Sequence, residues 1–395
     1  MIEKDRKPLI RFKGFSEAWE ERKLGEVGEF NPKSELPEIF KYVDLESVVG
    51  TEMIAYREER KLTAPSRAQR LACQGDLFYQ TVRPYQKNNY LFKKPCNNYV
   101  FSTGYAQIRP HVNGYFLLSL VQNNMFVKSV LDSCTGTSYP AINSSDLADI
   151  QVCIPLKNTE QSKIGTYFQQ LDSLITIQQR KYDKLKNVKK AMLEKMFPKA
   201  GADVPEIRFK GFSGAWEKRK LGEMGSVLMN KRIFKDQTSN EGDVPFYKIG
   251  TFGNEPDAFI SRCLFKEYKL KYPYPENGDL LISASGSIGR IVEYKGKDEY
   301  FQDSNIVWLQ HDYRLINSFL KQFYSVVKWS GLEGSTIKRL YNKSILDTPI
   351  SLPNPEEQSK IGTLFQQLDS LITLQQREIE KLKNIKKACL EKMFV

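Results

Sequence analysis

Residues 83–94 read RPYQKNNYLFKK, a run that interleaves cations, amides and aromatic rings. Such side chains suit a polyanion with readable edges. Arginine pairs with guanine, asparagine and glutamine with adenine, and lysine with phosphate. Arg83, Tyr85, Lys87, Asn88, Asn89 and Lys93 are the candidates in this run. Residues 133–139, SCTGTSY, form a small hydroxyl-rich stretch whose backbone can approach a phosphate closely, and add Thr137, Ser138 and Tyr139. In the second half, residues 283–290 (SASGSIGR) and 334–343 (GSTIKRLYNK) have the same character. They contribute Ser285, Ser287, Arg290, Lys338, Arg339, Tyr341, Asn342 and Lys343, and the NKR cluster at 230–232 contributes Lys231 and Arg232. Each stretch alone also reads as an ordinary solvated loop. Their recurrence in both halves turns the set toward a nucleic-acid surface.

The charge balance points the same way. The 395 residues carry 59 Lys and Arg against 47 Asp and Glu, a formal net charge of +12. A basic surplus of this size favours a polyanionic partner.

Other chemistries find little support, and no catalytic or metal-binding residues are assigned. There is no GxxxxGK[ST] phosphate loop, no GxGxxG fingerprint and no aromatic-capped Asn-Pro-Pro or Asp-Pro-Pro tetrapeptide, the amino-methyltransferase signature. The two histidines, His111 and His311, stand far apart with no ligand cluster beside them, which disfavours both a structural zinc and a His-activated nucleophile. The six cysteines show no CxxC spacing and read as free thiols. A carboxylate nuclease site is weakly marked in any sequence and stays open. No apolar run approaches the ~20 residues of a membrane span, and the charged start MIEKDRKPLI does not suit a secretory signal, so a cytoplasmic protein is expected.

The candidate stretches hang on a repeated frame. Residues 10–28 (IRFKGFSEAWEERKLGEVG) return as 207–225 (IRFKGFSGAWEKRKLGEMG), and residues 161–197 return as 358–394, both with an offset of 197. Two separated segments sharing one offset define a tandem duplication. Between them, residues 31–160 and 230–357 share only echoes, such as Gly75-Asp76-Leu77 against Gly278-Asp279-Leu280. Near-identical segments are expected to do one job twice. Divergent segments at the same place are expected to do one kind of job on two targets.

The segment 161–197 holds no proline and one glycine, and its apolar steps alternate four and three, a heptad seam. The seam runs Ile164, Phe168, Leu171, Ile175, Gln178, Tyr182 and Leu185, and again Ile361, Phe365, Leu368, Ile372, Gln375, Ile379 and Leu382. Lys189 falls where the seam calls for an apolar side chain. Lysine and arginine crowd the later turns, where positive charge meets the negative pole of the helix dipole. At ~1.5 Å per residue each helix spans roughly 55 Å, and a narrow stripe of that length calls for a partner, most simply the other copy. The stripe leaves the pairing direction open. The middles mix strand-like runs (279–283, 289–294, 306–309) with helical ones (115–130, 316–329), which predicts an α+β (mixed α/β) class. The expected organisation is two globular domains, 1–159 and 199–356, each followed by a long helix, 160–198 and 357–395.

On these features the chain resembles the specificity subunit of type I restriction–modification enzymes. The likeness rests on the doubled frame, on the W-x4-L-G-E motif at Trp19–Glu26 and Trp216–Glu223, and on the P…EQ-x-x-I…LD-x-L-I helix opening that starts at Pro155 and Pro353. It covers the whole chain. The resemblance implies two target-recognition domains, each reading one half of a split DNA site. It implies that the helices form an antiparallel coiled coil that sets the gap between half-sites and docks partners. It further implies double-stranded DNA, two methyltransferase subunits and two restriction subunits as partners. S-adenosylmethionine, ATP and Mg²⁺ would be held by those partners, and none by this non-catalytic chain. The competing readings are a coiled-coil scaffold that binds no DNA and a stand-alone nuclease.

Overall fold

The computed structural model describes residues 6–95, 98–136, 138–199, 201–329 and 339–395. The chain forms two compact units, and neither is one stretch of sequence. Met1–Arg180 and Gln376–Val395 make the first, and Lys181–Gln375 makes the second.

In the first unit, Glu20–Lys23 pairs antiparallel with Gln151–Ile154, which brings together the chain entering the lobe and the chain leaving it. A four-stranded antiparallel sheet runs in the spatial order Gly28–Phe30, Tyr105–Pro110, Leu77–Gln80, Tyr90–Leu91. A second sheet runs Arg57–Arg60, Ile39–Val43, Tyr99–Ser102, Ala68–Leu71, with a parallel step between its two middle strands. Leu77–Gln80 and Tyr99–Ser102 are buried along their whole length, so they read as continuous runs and not as alternating ones. Phe78 stacks on Phe101 with centroids 3.6 Å apart, which ties one sheet to the other.

The second unit repeats the plan. Glu217–Lys220 pairs with Pro349–Leu352. A four-stranded antiparallel sheet runs Gly225–Leu228, Ile306–His311, Leu280–Ser283, Ile291–Glu293. A three-stranded sheet runs Phe259–Ile260, Val244–Tyr247, Tyr300–Phe301, with its parallel step between the last two.

The mixed α+β class is as expected, with two local corrections. The predicted helix over 115–130 is two helices, Gly114–Gln122 and Asn124–Asp132. Asn123 separates them: its backbone is extended, its N–H donates to the Leu120 carbonyl, and its side-chain oxygen accepts from the Phe126 N–H. The predicted helix over 316–329 ends at Val326.

The long helices are Asn158–Met196 and Pro355–Lys392. Their pairing is antiparallel. In the first unit Tyr167 Oη lies 3.4 Å from Cys389 Sγ, and Lys386 Nζ lies 2.5 Å from an Asp172 carboxylate oxygen. In the second, Lys189 Nζ lies 2.5 Å from Asp369. The out-of-pattern Lys189 is thus accounted for by a carboxylate on the facing helix. Ile164, Phe168, Leu171, Ile361, Phe365 and Ile379 are buried, while Ile175, Gln178, Tyr182, Leu185, Leu368, Ile372, Gln375 and Leu382 are half-buried. The front of each stripe also enters the core of its own lobe.

The repeated motifs fasten that junction. Gln161 accepts from the Asn113 N–H and donates to the Pro155 carbonyl. Gln358 accepts from the Ile316 N–H and donates to the Pro353 carbonyl. A Cβ on Gly165 would run into Asn113 Oδ1, and one on Gly362 into Ser318 Oγ, so the helix can sit this close only as glycine. Each core is then closed by the far end of the other repeat's helix. Phe394 packs against Trp19, Phe116 and Phe168, at centroid distances of 6.0, 5.7 and 5.8 Å. Phe197 packs against Trp216 and Phe319 at 6.0 and 5.3 Å.

Candidate nucleic-acid interface

The strand Leu77–Gln80 starts from a Gly-Asp turn. Gly75 has φ +95°, a left-handed conformation that favours glycine, and the Asp76 carboxylate accepts from the Cys73 N–H. The second unit builds the same turn with Gly278, at φ +98°, and Asp279, whose carboxylate accepts from the Glu276 N–H. The Gly-Asp-Leu echo therefore marks equivalent strands. The segments leaving those strands, 81–89 in one unit and 284–290 in the other, are equivalent as well. Each segment is bridged to a distant loop. Val82 pairs with Ala141, and Ser285 pairs with Arg339.

In the first unit this geometry gathers several candidates. Arg83 and Lys87, both with positive φ, frame a single turn over Pro84–Gln86. The Arg83 N–H donates to the Pro140 carbonyl, and its guanidinium lies 4.4 Å from the Tyr139 ring centroid. Tyr85 and Tyr139 are 50% and 64% exposed, so two aromatic rings stand open beside the half-buried Arg83. Ser138 is exposed beside them. Asn88 accepts from the Gly50 N–H, which draws the Val48–Val49/Glu52–Met53 hairpin alongside. Lys93 is exposed and lies 4.8 Å from the Tyr115 ring, away from the turn.

Two of the expected contacts point inward. Asn89 is 1% exposed and its side-chain oxygen accepts from the Gln80 N–H. It braces the turn from beneath through that oxygen, while its amide nitrogen is buried without a hydrogen-bond partner among the described residues. Lys87 donates to the Gln122 carbonyl at 2.8 Å and to Asn124 Oδ1 at 2.7 Å. Burial pushes its pKa down from the ordinary lysine value.

In the second unit Ser285 is likewise buried and donates to Asn305 Oδ1 at 2.7 Å. Ser287 and Arg290 are exposed, and Arg290 donates to the Phe252 carbonyl. Arg339 donates to the Ser304 carbonyl and leans over the Tyr341 ring at 5.8 Å. Asn342 and Lys343 open the short helix Asn342–Leu346. Lys231 lies over the Tyr272 ring, and Arg232 is ion-paired with Asp303 at 3.0 Å. Thr137 and Lys338 lie outside the described residues.

The second unit also holds a cleft of about 480 Å³ that the candidate stretches reach only at Arg232, lined further by Phe234, Lys235, Asn240, Lys248 and Asn305. It adjoins Ser285 through Asn305. Its residues come from four separate stretches, and beyond Arg232 only the exposed Phe234 (56%) in a basic run carries a local signal.

Among the described residues no group of three or more His, Cys, Asp or Glu side chains is placed to hold a metal ion. No described helix is long and apolar enough to cross a membrane.

The family model for the type I restriction modification DNA specificity domain matches residues 16–187 and again 214–384. A Haemophilus influenzae protein described as the type I restriction enzyme specificity subunit S.HindORF215P is 53% identical over 153 residues, 38% of this chain and 40% of that protein. The MjaVIII specificity subunit of Methanocaldococcus jannaschii is 24% identical over 298 residues, 69% of this chain and 67% of that one. The chain thus spans less than half the length of the first relative and about two thirds of the second. Among solved structures, the type I restriction-modification S subunit from M. genitalium superposes with a TM-score of 0.65 at 15% identity, covering 98% of this chain and 99% of that one. A chain from a structure of complex assembly in a type I R-M system gives 0.55 at 24%, covering 94% and 96%. At these identities the likeness bears on the fold.

Proposed function

We propose that this chain, which belongs to the type I restriction modification DNA specificity family, reads a bipartite DNA site with one unit per half-site. Its curated relatives are specificity subunits, the non-catalytic components of type I restriction–modification systems. The observation that carries the reading is the equivalence of the segments 81–89 and 284–290: one scaffold position, two unrelated sequences, each bridged to a second loop. A fixed frame with exchangeable loops is what two different base sequences require. Phosphate contacts position the protein, and base-edge contacts specify the sequence.

The long helices serve in this reading as spacer and docking rail. Leu174 and Ile177 are exposed on the first helix, and Leu371 and Leu374 occupy the same repeat positions on the second. Two equal apolar patches suit two copies of one partner, the methyltransferase subunit, with restriction subunits joining them. Those partners supply S-adenosylmethionine, ATP and Mg²⁺, and the complex works in the cytoplasm. Methylation of a base requires it to leave the stack, so the partner must be held beside each half-site.

The test is a methylome of the host with and without this gene. A two-part adenine motif that disappears on deletion supports the reading. An unchanged methylome refutes it.

A further inference from the structure

The later turns of the second long helix pass beside the first unit's recognition turn. A cleft of about 280 Å³ lies between them, lined by Lys87, Asn124, Lys383, Lys386, Lys387 and Glu391. The cleft's one acid is engaged, since Glu391 accepts from the Asn124 side-chain amide at 3.1 Å. Lys386 is held by Asp172. Lys383 and Lys387, one turn apart, are exposed with no ion pair among the described residues. The first helix repeats the arrangement within the second unit. Lys189 is held by Asp369, and Lys186 and Lys190 flank it, exposed. A solvated helix face rich in lysine is ordinarily balanced by i,i+4 acids. Lys387 and Lys190 each have a glutamate four residues on, Glu391 and Glu194, but Glu391 is turned to Asn124, and among the described residues the same two lysines form no ion pair in either copy.

We propose that Lys383 and Lys387 form a phosphate-binding shelf that carries one strand of a DNA duplex along the helix and into the recognition turn at Arg83–Asn89. Lys186 and Lys190 do the same for the second unit. The inference rests on the proposed DNA-reading function and adds to it a backbone contact made by the helices. Continuity supports it, because Lys87 is fixed to Gln122 and Asn124 at the edge of the same cleft. So does spacing. Four helical residues rise about 6 Å, close to two phosphate steps of one strand at about 3.4 Å each measured along the duplex axis. Such contacts add affinity without sequence preference.

The experiment measures DNA binding by the complex purified from the host through a tag on this chain, with duplexes that carry or lack the methylated motif. The variant K383Q/K387Q is compared with the parent across salt concentrations. Both side chains are exposed, so an unchanged melting temperature checks the fold. Loss of two phosphate contacts lowers the slope of log affinity against log salt by about 1.8, and narrows the affinity change between 50 and 200 mM salt by about tenfold. The preferred motif stays the same. K186Q/K190Q gives an equal loss, and the quadruple variant gives twice that. A parental slope in the double variant overturns the shelf while leaving the DNA-reading function standing. A variant that loses its partner subunits but keeps the parental slope assigns the lysines to protein docking and also overturns it. Failure of the parent complex to bind any duplex overturns the DNA-reading function itself.

Discussion

Arg11 grips both carboxylate oxygens of Glu160, 149 residues further along the chain, at 2.6 and 2.8 Å. Arg208 grips Glu357 at 2.7 and 2.7 Å, again 149 residues on. The two carboxylates are 1% and 0% exposed. Hydrogen bonding to the carboxylate raises the pKa of each arginine further above its ordinary value. In each unit the segment before the lobe is thereby clamped to the start of the long helix behind it. A bidentate, desolvated pair is costly to break from one side, because the remaining charge stays buried. Glu160→Gln is expected to destabilise the chain by about 3–5 kcal/mol. Arg11→Met with Glu160→Leu together is expected to cost less than the sum of the singles. Urea unfolding of the parent, Glu160→Gln, Arg11→Met, Glu160→Leu and the double variant checks this, and strict additivity would show that the pair does not act as a unit.

Gly165 lies inside a helix, where alanine is ordinarily preferred by about 1 kcal/mol. Here the added methyl would meet Asn113 Oδ1 and come within 2.9 Å of the Phe116 backbone nitrogen. Gly165→Ala is therefore expected to lower stability by about 1–3 kcal/mol, reversing the helix preference. A melting temperature at or above the parent's would show that the close approach is not required.

Phe394 stands near the C-terminus, yet it closes the core built around Trp19, Phe116 and Phe168. Phe394→Ala is expected to cost about 3–5 kcal/mol. The loss should fall on the first unit. Faster amide exchange in Gly114–Gln122, with the helix Asn317–Val326 unchanged, is the signature. Equal loosening of both helices would contradict it.

The helix pair is proposed to set the gap between half-sites. Inserting four residues, about one helical turn, after Thr176 is expected to lengthen the spacer of the methylated motif. Sequencing the modified bases in a strain carrying the insertion reads this directly, and a motif with its old spacing would refute it.

Exchange of residues 31–160 for those of a relative with a different motif is expected to change one half of the recognised site and leave the other. A change in both halves would show that the units do not read independently.

Much of this organisation is legible in the residues. The 197-residue offset reveals the duplication, and the Ile164–Leu185 stripe reveals a paired helix. The Gly-Asp-Leu echo locates equivalent strands from residue order alone. Other features leave no such trace. The break at Asn123 interrupts an apolar run whose periodicity continues through it, because a single capping side chain redirects the backbone without altering the pattern. Asn89 has the composition of a base-reading amide, and composition cannot tell an amide facing solvent from one spent on the Gln80 N–H beneath its own loop. Lys383 and Lys387 read as tail lysines, and only their approach to Lys87 gives them a candidate role.

Two lobes on one frame, a helical frame, and variable loops that carry the cations and rings are all written in the order of the residues. Repetition and periodicity are properties of chain order, so they need no fold to be read. The antiparallel run of the helices, seen in Asp172–Lys386 and Lys189–Asp369, emerges only in three dimensions, as does the closing of each lobe by an aromatic ring from the other repeat. Those outcomes depend on which apolar surfaces meet in space, and a stripe of side chains has no direction until a second stripe packs against it.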